Sequence, residues 1–178
     1  MNRINLGSGK NYLPEFINID IDAKWKPDIV CDLSASIPRE LKPESFDEIR
    51  AYDVLEHIPN LIGLMTNLLK LLKVGGHIYI SVPYDLSLGA WQDPTHIRAF
   101  NENSWLYYTE WFWYLGWKDY RFKLEELNYA YSSFGVSIAN RPLTELLRTP
   151  RAIDTMLATL VKVETTQAEK FILTHYIK

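Results

Sequence analysis

The sequence is poorest in cysteine. A single thiol, Cys31, among 178 residues excludes an internal disulfide and any metal site built on several thiolates, and no metal site is expected. Lying in the apolar run Ile29-Val30-Cys31, it reads as a strand residue and not as a nucleophile. Long apolar runs are also missing: no stretch approaches the roughly 18 residues that span a membrane, and no signal peptide is seen, so the expected location is cytoplasmic. Nor is there an excess of basic residues. Nineteen Lys and Arg against 22 Asp and Glu give a net charge of −3, which leaves no electrostatic footprint for nucleic acid. The group Arg141, Arg148 and Arg151 reads as a solvated face. Internal repeats and low-complexity linkers are absent from the sequence.

What is present describes one domain. Hydrophobic residues at 47% and charged residues at 23% are ordinary for a soluble globular protein, and the length suits one sizeable core better than two. Short apolar runs bounded by turn residues recur at Ile4-Leu6, Phe16-Ile21, Ile29-Cys31, Glu48-Tyr52 and His77-Val82, and read as strands buried as in a parallel sheet. Between the last two, Leu61, Leu64, Met65, Leu68, Leu69 and Leu72 recur at helical steps. That helix starts after Pro59-Asn60 and is expected to stop at Gly75-Gly76. Strand, helix, strand implies a right-handed parallel crossover.

The second half reads less regularly. A helix fits Glu102 to Leu115, with Asn101 as N-cap and Gly116 just past its end. Tyr120 to Leu127 alternates as a strand. Pro142 to Val161 carries a helical stripe, Leu143, Leu146, Leu147, Ile153, Met156, Leu157 and Leu160, broken at Pro150. The tail Lys170 to Ile177 reads as a last strand, pairing antiparallel with the 120s. The expected fold is therefore a doubly wound α/β sheet, mostly parallel and Rossmann-like, with an antiparallel C-terminal edge and three layers.

The chemistry concentrates at the start of the chain. Ile4-Asn5-Leu6-Gly7-Ser8-Gly9 is a strand entering a glycine turn, where positive φ and close backbone approach to a ligand are available. Asn18-Ile19-Asp20-Ile21-Asp22 follows, placing an acid where a ribose presents hydroxyls. Gly9 to Asp20 is only about eleven positions, against roughly 20 in a dinucleotide-binding unit. The first helix must be shortened or replaced by a loop. A nicotinamide-dependent oxidoreductase fits poorly, because the G-x-G-x-x-G spacing and its helix are missing.

Taken in order over residues 4 to 127, these segments resemble the class I S-adenosylmethionine-dependent methyltransferase family. Asn5-Leu6-Gly7-Ser8-Gly9 is similar to its first motif, Asn18-Ile19-Asp20 to its acidic second strand, and Asp28-Ile29-Val30-Cys31-Asp32-Leu33 to its third. Ser45-Phe46-Asp47-Glu48-Ile49 with Asp53-Val54-Leu55-Glu56-His57-Ile58 resembles the fourth strand and its turn. Leu72 to Pro83, through Lys73-Val74-Gly75-Gly76, resembles the turn and strand after that. A third glycine common in the first motif is replaced by Asn11, which tolerates positive φ next best.

The resemblance implies S-adenosylmethionine as cofactor and one methyltransferase domain over 1–178, with 1–100 the cofactor-binding half and 101–178 the substrate-side half. It puts Leu6, Gly7, Ser8 and Gly9 against the methionine moiety and Asp20 on the ribose hydroxyls, with Asp22 as rival across Ile21. Asp32 would take the adenine amino group beside the Leu33 N–H, and Asp53, with Tyr52 and His57, would face the methionine ammonium or the sulfonium. A helix-start packing role for His57 is the alternative. In Asp93-Pro94-Thr95-His96, His96 with Asp93 is the candidate base; a hydrogen-bonding role or a plain turn residue are its alternatives. The acceptor is expected to be a small molecule or glycan precursor methylated on O or N. A non-catalytic binding or assembly module is the competing reading. Rings from Trp105 to Tyr120 cannot all face one side of a helix, so some are expected at a substrate or an oligomer contact.

Overall fold

In the computed structural model, which describes residues 1–176, seven strands form one sheet: β1 (Arg3–Leu6), β2 (Ile17–Asp20), β3 (Ile29–Val30), β4 (Phe46–Tyr52), β5 (Leu72–Pro83), β6 (Tyr120–Tyr131) and β7 (Ile153–Glu164). Their order is β3-β2-β1-β4-β5-β7-β6. β1 to β5 pair in parallel, and β7 runs antiparallel between β5 and β6. This is the doubly wound, mostly parallel sheet with an antiparallel C-terminal edge that the sequence predicts. Strand order reverses between β1 and β4, which opens a crevice at their carboxyl ends.

Register explains where the core sits. Ile4, Leu6, Ile49, Ala51, Ile78 and Ile80 align across β1, β4 and β5 and are all essentially buried. Helix α1 (Leu61–Leu71) adds Leu64, Met65 and Leu68 to the same core. The alternate positions Arg3, Glu48, Arg50, His77 and Tyr79 point the other way, as a period of two requires. Near β1 and β4 that face is covered by a loop: Phe16 lies under the guanidinium groups of Arg3 and Arg50, at 5.4 and 4.7 Å.

The link from β1 to β2 contains no helix, as its length predicts. A buried amide takes the place of one. The Asn18 side chain donates to the Leu13 and Phe16 carbonyls at 2.8 and 2.9 Å, and accepts from Leu13 N–H at 2.9 Å and from Asn5 at 3.0 Å. Asp28 accepts from Asn18 N–H at 2.7 Å. The loop's backbone polar groups are thus satisfied by side chains, since no helix ladder is there to do so.

Four expectations are corrected. α1 ends at Leu71 rather than at Gly75-Gly76, because Glu44 and Ser45 N–H groups take the Lys70 and Leu71 carbonyls and no glycine cap is needed. Lys73 to Gly76 instead form an irregularity inside β5, with Gly75 at φ 81°. Residues 102–115 are not one helix but two 3-10 turns, Glu102–Trp105 and Phe112–Leu115, although Asn101 does cap the first and Gly116, at φ 74°, ends the second. This irregular path buries Trp105, Tyr108, Phe112 and Trp117, and leaves Tyr107, Trp111 and Tyr114 outside.

The third correction is that only Leu143–Leu146 of the Pro142 to Val161 stripe is helical; Ile153 onward is β7. Met156, Ala158 and Leu160 are buried at every second position, and pairing with strands on both sides selects the extended form. Fourth, Gln167–Tyr176 is a helix and not a strand, opened by a reciprocal Thr166 and Glu169 cap. β6 therefore pairs with β7, and Ile177 lies outside the described residues. The remaining short helices are Gly89–Gln92 and Ser133–Ser137.

Replacing Asn18 by Ala removes the side-chain partners of the Leu13 N–H and the Phe16 carbonyl, and leaves the Leu13 carbonyl with the Phe16 N–H alone. At about 1–3 kcal/mol for a buried group left unsatisfied, urea unfolding should show a loss of about 2–4 kcal/mol. A loss below about 0.5 kcal/mol, the size of an ordinary surface substitution, would mean that the loop is held by something else.

Candidate active site

The glycine turn is fixed by two close approaches. Gly7 has φ 58°, and a Cβ there would collide with Val54 Cγ2, so only glycine fits between β1 and the turn after β4. Gly9 has φ 46° and donates its N–H to Asp20 Oδ2 at 2.7 Å. The other Asp20 oxygen accepts from Asp22 N–H at 2.8 Å. Asp20 therefore orients both the turn and its own strand end, with lone pairs on each oxygen still free. Asn11 does not take positive φ; its N–H closes the turn on the Ser8 carbonyl at 2.7 Å.

Beside this turn lies a cavity of about 420 Å³, at the carboxyl ends of the strands. That volume falls in the range of small-molecule sites, roughly 300–1,000 Å³. Gly7, Asp20, Ile21, Asp32, Leu33, Asp53 and His57, all expected site residues, line it. The structure does not bring the rest to its wall. Leu6 lies in the core below, Ser8 is buried with an unpartnered hydroxyl, and Tyr52 is exposed. Asp22 is engaged as the N-cap of the 3-10 turn Ala23–Trp25, accepting from Lys24 N–H at 3.0 Å. Cys31, Ser34, Val54, Ile58 and Pro59 also line the cavity, and sequence reasoning missed them as wall residues because apolar contacts carry no motif. The Cys31 thiol is pushed up by burial, then by Asp32 and Glu40, which makes it a poor nucleophile.

The cavity is acidic. Asp20, Asp32 and Asp53 contribute carboxylates, and neither Lys nor Arg lines the wall. The Ser34 hydroxyl, then the Ser34 N–H, at 2.6 and 2.9 Å, hold the Asp32 carboxyl below its usual range. Asp53 sits in the left-handed region at φ 55°, pinned by its N–H to the Ser81 carbonyl at 2.9 Å. Desolvation raises its carboxyl, against the opposing pull of Ser81 and then His57 and His96.

Behind the wall stands a second group of polar side chains. His57 ends the 3-10 turn Leu55–His57, and His96 lies 4.6 Å from it between ring centroids. Thr95 Oγ1 donates to Asp93 Oδ1 at 2.7 Å and accepts from His57 Nδ1 at 3.0 Å. Its hydroxyl thereby links that imidazole to a carboxylate. His96 Nδ1 donates to the Ala90 carbonyl at 3.1 Å, which leaves Nε2 facing Glu56 Oε1 at 4.0 Å and Asp93 Oδ2 at 3.9 Å. Of the expected base pair, neither His96 nor Asp93 touches the cavity; His57 does. Glu56 was not singled out by the sequence, although its place three residues after Asp53 and next to His57 was a usable signal. It is 1% exposed, and burial, with a smaller push from Asp53, raises its carboxyl to about 7.

Two outcomes follow from this geometry. Gly7→Ala should destabilise the fold by about 1–3 kcal/mol through overpacking against Val54, read by thermal unfolding; a neutral change would show that the turn and Val54 part easily. An acid whose folded pKa lies above its unfolded value gains a proton on folding. Glu56 should make stability fall as pH rises from about 4.5 to about 7 and flatten beyond. In EDTA-containing buffer, Glu56→Gln should remove that decline and be the more stable protein at pH 8. A parallel decline in both proteins would place its origin elsewhere.

Comparison with known proteins gives the fold and the family. A family profile described as a methyltransferase domain matches residues 9–132. No curated protein sequence gives a significant match. A S-adenosylmethionine-dependent methyltransferase from Archaeoglobus fulgidus superposes with a TM-score of 0.60 at 19% identity, covering 90% of this chain and 86% of its own. A Haloferax volcanii protein solved with the Trm112 methyltransferase activator gives 0.64 at 15% identity, covering 93% and 83%. Haemonchus contortus phosphoethanolamine N-methyltransferase 2, solved with S-adenosyl-L-methionine, gives 0.55 at 14%, covering 92% of this chain and 49% of that one. The structural likenesses show the shared fold, and the profile covers well over half of the sequence: the chain belongs to the class I S-adenosylmethionine-dependent methyltransferase family, a family of enzymes.

Proposed function

We propose that the acid-lined cavity holds S-adenosylmethionine, and that the protein moves its methyl group by in-line displacement to an oxygen or nitrogen of a small molecule or glycan precursor. One observation carries the reading: a glycine turn and three carboxylates surround one cavity at the strand-order switch, with no cationic side chain in its wall. A phosphate-bearing dinucleotide would meet repulsion there, and would lack the helix N-terminus that usually receives it. The cofactor supplies an electrophilic methyl on a sulfonium.

The chain's own residues then divide the work. Asp20 keeps free lone pairs for the ribose hydroxyls after serving Gly9 and Asp22. Asp32 and the Leu33 backbone take the adenine edge. Gly7 lets the main chain approach the methionine part, and Asp53 balances its positive charge. His57 marks the acceptor end, oriented through Thr95 by Asp93, with His96 one ring behind. Helix α2 (Gly89–Gln92) holds His96 through its Ala90 carbonyl. Positioning alone can remove about 7–11 kcal/mol of barrier.

Calorimetry with S-adenosylhomocysteine should detect binding that Asp20→Ala weakens by about 1.5–3 kcal/mol, the worth of hydrogen bonds to a charged group. No binding of either form of the cofactor at millimolar concentration would defeat the reading. Production of S-adenosylhomocysteine with an acceptor panel of alcohols, amines and sugars separates an enzyme from a binding module. Binding without turnover would favour the latter.

A further inference from the structure

We propose that Glu56, His57 and His96 form a binding site for one divalent transition-metal ion of the zinc type, directly behind the acceptor end of the cavity. No metal is expected from the sequence; the fold brings the three together. Each offers one ligand atom, and these atoms all lie within 4.8 Å of one another.

Three features point to a cation rather than to a chance cluster. Glu56 is 1% exposed, yet both of its carboxylate oxygens lack a hydrogen-bond partner. A carboxylate buried in this way is costly unless it is paired or coordinates a metal. Each histidine, moreover, has its Nδ1 committed: that of His96 to the Ala90 carbonyl, that of His57 to Thr95 Oγ1. Both rings thus carry their lone pair on Nε2. Finally, the Thr95 hydroxyl donates a hydrogen bond to Asp93, so the His57 ring is backed by a carboxylate one step removed. Nδ1–H held by a carbonyl or by a carboxylate-linked hydroxyl is how metal-ligating histidines are oriented and made more basic.

Two imidazoles and one carboxylate are the ligand set of catalytic zinc sites, which keep a fourth position open. Tetrahedral coordination at about 2.1 Å sets ligand atoms about 3.4 Å apart, so a pair at the 4.8 Å limit must close by about 1.4 Å. Mg²⁺ and Ca²⁺, which favour all-oxygen shells, suit it poorly. His57 is the one ligand that lines the cavity, which puts the free position on that side. There the ion would hold an acceptor oxygen and favour its deprotonated form; this last role, unlike ion binding itself, rests on the acceptor end assigned above.

The test uses full-length protein freed of metal by EDTA dialysis and titrated with Co²⁺. Visible absorption of four- or five-coordinate Co²⁺ should saturate at one ion per chain, be displaced by Zn²⁺ and withstand Mg²⁺ in large excess. Glu56→Gln should abolish the signal, and Thr95→Val, which spares all three ligands, should weaken binding about 10- to 100-fold. Circular dichroism checks folding of each variant, and S-adenosylhomocysteine affinity is measured alongside. Intact cofactor binding with no stoichiometric Co²⁺ or Zn²⁺ binding overturns the metal site alone. A Co²⁺ signal unchanged in both folded variants also overturns it, by placing the ion on other histidines. Metal binding without cofactor binding would leave the site standing and remove the acceptor reading.

Discussion

The structure depends on a loop that must be held without a helix. Between β1 and β2 the chain has too few residues to build a capping helix, so Gly7 to Phe16 is tied down by two side chains of β2. Asn18 satisfies the loop's inner backbone groups, and Asp20 receives the Gly9 N–H. These bonds are short-range and directional, whereas helix packing is broad and apolar. The consequence is a site whose floor is polar at the point where a cofactor's ribose is expected. It also explains why Gly7 can approach Val54 so closely: nothing bulky stands between the first strand and the turn after the fourth.

The electrostatics around that floor favour a positively charged guest. Asp20, Asp32 and Asp53 line the cavity without a basic partner, and each keeps its geometry through backbone or hydroxyl donors rather than through ion pairs. A carboxylate already oriented by neutral donors retains its charge for a ligand. Farther in, Glu56 is deprived even of those donors. The site is thus graded from oriented carboxyl groups along the wall to an unpartnered acid beneath His57.

How much of this was legible in the sequence differs along the chain. β1 to β5 and α1 were readable because apolar runs bounded by Gly, Pro and Asn have one dominant interpretation. Ile153 to Val161 was not, since Ile153, Met156, Leu157 and Leu160 satisfy a helical period while Met156, Ala158 and Leu160 satisfy a strand period; only the two neighbouring strands decide. The tail carries Thr166-x-x-Glu169, a helix-start signal, ahead of an apolar run that also suits a strand. For the site, Gly7, Asp20, Asp32, Asp53 and His57 reach one cavity from their motif positions. Glu56 and His96 escaped pairing because some forty positions separate them, and only the fold brings the second to the first, with the Ile97 N–H on the Glu56 carbonyl at 3.0 Å and Thr95 on His57.

The central claim is that this cavity is the cofactor site, and a crystal structure of the protein with S-adenosylhomocysteine tests it most directly. The account predicts the ribose hydroxyls on Asp20, the adenine edge at Asp32 and Leu33, and the sulfur opening toward His57. A ligand bound elsewhere, or one whose ribose makes no contact with Asp20, would contradict it.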